Sequence, residues 1–135
     1  MSTTPPRDWK MIEVNDVLTF WVPPDAEAKD LQPIDSIFGV IKGSGYEIVY
    51  DYGRFAEQIE SYEERSGYSS RARIVSGQHA QEVSFQDTEE NLEMPVVRIL
   101  QVPSRRGNTF TLRISCMDEA TCEISDNVFD SITFN

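Results

Sequence analysis

The chain has 135 residues, 39% hydrophobic and 10% aromatic, which suits one folded domain with a single core and argues against disorder. Its 23 Asp and Glu against 12 Lys and Arg give a net charge of −11, which argues against a nucleic-acid partner and fits a basic protein partner or simple solubility. No apolar run approaches the ~18 residues that a membrane-spanning helix needs, so no transmembrane segment is expected.

Residues 1–8 read MSTTPPRD. They are small, polar and proline-bearing, a flexible tail ahead of one domain over 9–135. The stretch lacks the basic start and apolar core of a signal peptide. Two locations follow: the cytoplasm, or the periplasm or envelope if an export signal was removed.

Strands dominate what comes next. Trp9 to Val14 and Val17 to Val22 are β-rich runs joined by Asn15-Asp16, and Pro23-Pro24 ends the second. Asp25 to Ser36 reads as a loop with one helical turn. A hairpin follows: Ile37 to Lys42, the turn Gly43-Ser44-Gly45, then Tyr46 to Tyr52, with Tyr46, Ile48, Tyr50 and Tyr52 on one face. Between Arg54 and Arg65 the period turns helical, with Phe55, Ile59 and Tyr62 at i, i+4, i+7 and Gly67 beyond as a stop. Strands resume at Arg71 to Ser76 and Ala80 to Phe85, bent at Gly77. The acidic loop Asp87 to Glu93 leads into Val96 to Val102, and the turn Arg105-Arg106-Gly107-Asn108 returns the chain.

The C-terminal quarter carries the clearest pattern. Phe110, Leu112, Ile114 and Cys116 alternate with Thr111, Arg113 and Ser115, the mark of a strand with one buried face. At Asp118 the spacing becomes helical, with Ala120, Ile124, Val128 and Ile132 on one stripe, which predicts a helix from Asp118 to about Asp130. The order predicts an α+β single domain: a central antiparallel sheet flanked by helices.

Three groups of residues carry a resemblance. They are Phe20-Trp21-Val22-Pro23-Pro24-Asp25, then Ile34-Asp35-Ser36, then Tyr46-Glu47-Ile48-Val49-Tyr50-Asp51-Tyr52-Gly53. With Gly77 and Ala80 in a later strand and a Ser131 to Phe134 ending, the pattern resembles small bacterial proteins related to the photosystem II extrinsic subunit PsbP. The resemblance implies a PsbP-like α/β sandwich whose members mostly bind or stabilise other proteins. It carries over no functional residue, because the matching positions are packing and turn residues.

Candidate chemistry is sparse. His79 is the single histidine, so it cannot form a histidine cluster, and no serine sits in a nucleophile elbow. The acids Asp87, Glu89, Glu90 and Glu93 lack the spacing and central glycine of a calcium loop, and Gly43-Ser44-Gly45 lacks the lysine of a phosphate loop. No cofactor and no metal is expected. Tyr46, Tyr50 and Tyr52 form either a sticky aromatic surface or a core-facing stripe, and Trp21 is a second candidate contact. Cys116 and Cys122 straddle the change of period, near the positions that a hydrophobic staple brings together. They are read as a disulfide in an oxidising compartment, with two buried reduced thiols as the alternative. The expectation is a non-enzymatic accessory or protein-binding module of a bacterial cell envelope. The alternative is an acidic immunity or inhibitor protein that neutralises a toxin or enzyme by binding it.

Overall fold

The computed structural model describes residues 8–29, 37–53, 58–88, 92–104 and 107–135. The tail over 1–7, the loop over 30–36 and the predicted helix start around Phe55 lie outside the described residues. The described elements are β1 (Lys10–Val14), β2 (Leu18–Val22), β3 (Glu27–Lys29), β4 (Ile37–Gly43) and β5 (Tyr46–Gly53), then a 3-10 turn (Ile59–Tyr62). After it come β6 (Ser66–Val75), β7 (Gln78–Gln86), β8 (Val96–Pro103), β9 (Thr109–Cys116), α1 (Glu119–Cys122), α2 (Ile124–Asp130) and β10 (Thr133–Phe134).

The strands make two antiparallel sheets. One has the order β1-β2-β10 and the other β3-β4-β5-β9-β8-β7-β6. This corrects the expected fold class. The molecule is mostly β, with two sheets facing each other rather than one central sheet flanked by helices. Val14, Leu18, Phe20 and Val22 are fully buried and belong to the same core as Phe110, Leu112 and Ile114 of the larger sheet. The N-terminal hairpin thus covers the face that helices were expected to cover, and β10 extends it.

The helical part is smaller than its pattern suggested. Within Arg54 to Arg65, the described helical structure is the turn Ile59–Tyr62, which seals the opposite face of the larger sheet over Val83, Phe85, Val97 and Ile99. At the C-terminus Glu123 separates α1 from α2 and resets the phase. The buried set is Cys122, Ser125, Val128, Phe129 and Ile132, whereas Ala120 is exposed and Ile124 half-buried. Asp118 caps α1 by accepting from the Thr121 N–H at 2.7 Å, which satisfies one of the amides that a helix start leaves unpaired.

None of the described helices is long and apolar enough to cross a membrane.

Candidate binding edge

β6 is made of residues that suit a rim better than a core. Most of its side chains are exposed, and it pairs with β7 alone. Among the described residues nothing pairs with its other side. Gly67 adopts φ 69 at the start, where the register shifts between Ser66 and Ser69, a bulge that bends the strand. From Ser69 to Val75 the pairing with Ser84 to Gln78 is unbroken. Alternate residues of an antiparallel edge strand turn their N–H and C=O groups outward, where a further strand can pair. The other described sheet edges are shorter: β3 has 3 residues, β10 has 2 and β1 has 5.

The two faces of β6 differ. Ser70, Ala72 and Ile74 share the face that carries Val83, and Ile74 is 59% exposed. Ser69, Arg71 and Arg73 share the face beside α2. Arg73 donates to Asp130 Oδ1 at 2.9 Å, to Asp126 Oδ1 at 3.1 Å and to Glu82 Oε1, and its guanidinium lies 5.5 Å from the centre of the Phe129 ring. Arg71 reaches Glu82 Oε1 at 3.2 Å and Asp126 Oδ1 at 3.1 Å. Glu82 is buried at 5% exposure, and burying a carboxylate is costly unless it is paired and hydrogen-bonded, as it is here by the two arginines. Burial alone would push the Arg73 guanidinium down, but Asp130 and Asp126 outweigh it and hold the group above its ordinary value. Arg98 adds a pair with Glu119 Oε2 at 3.0 Å, and a cleft of about 390 Å³ opens among Ser69, Arg71, Glu82, Arg98 and Asp126.

The residues singled out in the sequence fall elsewhere. Cys116 and Cys122 are both fully buried and joined by a disulfide, with Cα atoms 5.4 Å apart. The bond ties the end of β9 to α1. Tyr46 and Tyr52 are buried at 3% and 6% exposure, and Tyr50 packs edge-on to Phe20 with centroids 5.6 Å apart. As a docking surface the tyrosine stripe is therefore corrected: it faces the space between the sheets. A Cβ at Gly39 or Gly43 would fall on the ring of Tyr50 or Tyr46, so these rings occupy the room that the glycines leave across the strand pair. The Tyr46 hydroxyl donates to Asp25 Oδ1 at 2.8 Å, and the Tyr52 hydroxyl lies 3.1 Å from Ser104 Oγ. Trp21 is half-buried on β2, and its backbone N–H donates to Ser131 Oγ at 2.9 Å.

His79 is exposed at a shallow depression that includes Gln81 and Thr109. Asp87 is buried with its N–H bonded to the Pro95 carbonyl, and Glu93 is exposed. Glu89 and Glu90 lie outside the described residues. Among the described residues, no group of three or more His, Cys, Asp or Glu is placed to hold a metal ion.

The two-sheet arrangement of the described strands is a PsbP-like fold. The solution structure of cyanobacterial PsbP (CyanoP) from Synechocystis sp. PCC 6803 matches it with a TM-score of 0.65 at 11% identity, covering 95% of this chain and 93% of that one. No family model matches the sequence, and no curated protein does.

The strand Arg71 to Ser76 was read in the sequence, but its N-terminal half and its edge position were missed, because Ser66 to Ser70 carries no periodic apolar residue to announce a strand. One signal was present. Arg71 and Arg73 alternate in a strand, and Asp126 and Asp130 stand four apart on a helix, a spacing that puts each pair on one face.

Proposed function

We propose that this chain is a non-enzymatic protein-binding module of a bacterial cell envelope, and that it binds along the free edge of β6. The observation that carries the reading is the unbroken run Ser69 to Val75, paired on one side only among the described residues. Edges of that kind recruit extended segments by main-chain hydrogen bonds. The buried disulfide suits an oxidising compartment, and the PsbP-like fold supports a binding role by analogy.

The test is positional crosslinking. A benzophenone side chain replaces Ala72 on β6, or Met11 on β1 as a control, and each protein is irradiated in extract of the native host. A discrete protein adduct from position 72 and none from position 11 supports the reading. Equal labelling from both, or none from 72, contradicts it.

A second reading, the acidic inhibitor, is favoured by the run Met117 to Asn135, which holds Asp118, Glu119, Glu123, Asp126 and Asp130 and no Lys or Arg. An adduct with one basic toxin or enzyme, whose activity is lost in the complex, selects it over the accessory role.

A further inference from the structure

We infer that the occupant of the β6 edge is an extended segment of another protein in which basic and aliphatic residues alternate. The inference rests on the binding role proposed above and names the chemistry of the partner.

A strand added beside β6 sends its side chains alternately to the two faces, in line with the rows already there. On one face it meets Ser70, Ala72 and Ile74, two small residues and an exposed isoleucine. An aliphatic side chain fits there, since it covers the Ile74 surface and finds no charge to satisfy. On the other face it meets the charged cluster beside α2, and exposure decides the sign that cluster shows to solvent. The side chains of Arg73 and Arg98 are only 12% and 18% exposed, whereas their partners Asp126, Asp130 and Glu119 are 51%, 37% and 66% exposed. The covered arginines spend their charge inward. The carboxylates look outward, with Arg71 as the one exposed cation of the network. The exposed carboxylates of Asp126 and Asp130 attract long lysine or arginine side chains that extend past Arg71 from alternate positions of the added strand, and the net charge of −11 favours the approach of a basic chain.

A second copy of this chain is a poor occupant. Pairing β6 with β6 brings together two molecules that each carry −11, with their α2 carboxylates on the same side.

The experiment selects random displayed peptides against the full chain, then measures amide hydrogen exchange with the enriched peptide made synthetically. The expected result is a consensus of alternating Lys or Arg with Val, Ile or Leu that slows exchange over Ser69 to Val75. Replacing its basic residues by Glu should weaken binding by roughly ten-fold or more. An acidic or patternless consensus that still protects β6 overturns the inference and leaves the edge reading standing. Peptides that protect another segment overturn the edge itself. Failure to enrich any peptide, or a concentration-dependent dimer that crosslinks to itself through position 72, overturns the inference as well.

Discussion

Arg73 Nη2 donates to Asp130 Oδ1 at 2.9 Å, which fastens the edge strand to a helix 57 residues further along the chain. The same guanidinium compensates Glu82, so the strand, its neighbour and α2 share one charge network. Arg73→Ala should destabilise the fold by about 3 kcal/mol, because it leaves a buried carboxylate without its main partner. Urea unfolding measures this. Arg73→Ala in a Glu82→Gln background should lose less, since no buried charge is then abandoned. Equal losses in the two backgrounds would mean that the arginine acts through Asp126, Asp130 and packing on Phe129 rather than through Glu82.

Gly39 and Gly43 should not tolerate a methyl group. Gly39→Ala or Gly43→Ala drives a Cβ into the ring of Tyr50 or Tyr46 and should cost about 1–3 kcal/mol. Tyr50→Ala in the Gly39→Ala background should relieve the overlap, and a double-mutant cycle of melting curves reads the coupling.

The Asp25–Tyr46 pair makes opposite contributions at the two ends of the pH scale. The Ser44 N–H, with the Tyr46 hydroxyl, holds the Asp25 carboxyl below its ordinary 3.8, despite an opposing effect of burial. Its stabilisation is therefore present above 3.8 and lost as pH falls through the lower folded value. Burial, then the Asp25 bond, pushes the Tyr46 phenol above 10.0, so its stabilisation is present below 10.0 and lost as pH rises through the higher folded value. Asp25→Asn should flatten the acid limb of a stability–pH curve and Tyr46→Phe the alkaline limb. An unchanged alkaline limb in Tyr46→Phe would contradict the assignment.

The disulfide should withstand mild reductant in the folded protein, because both sulfurs belong to fully buried residues. Alkylation without reductant should add no mass even after denaturation. Reduction in denaturant followed by refolding should lower stability by about 2 kcal/mol, the loop-closure value for so short a separation. Labelling of both cysteines before reduction would remove the argument for an oxidising compartment.

Much of the β structure was legible from alternation alone. Phe110, Leu112, Ile114 and Cys116 are all fully buried, as the alternation predicted, but Thr111 and Ser115 on the other face are buried as well, so β9 is covered on both faces rather than one. The division into two sheets was not legible, because Leu18, Phe20 and Val22 alternate as any strand does, and tertiary packing decides which sheet they join. The helix phase failed at one residue. Reading through Glu123 as continuous helix placed Ala120 inside and left Cys122 off the stripe, whereas the break there buries Cys122 and exposes Ala120. The tyrosines were located correctly along one strand face. The packing of Tyr46 and Tyr50 uses the room left by Gly43 and Gly39 across the ladder, and cross-strand register is set by contacts that a linear pattern does not encode.

The claim at the centre is that β6 is the working surface, and amide exchange in the complex with the partner crosslinked through position 72 tests it most directly. The account predicts slowed exchange over Ser69 to Val75 with Lys10 to Val14 unchanged. Unchanged exchange in β6, with protection appearing on another element, would contradict it.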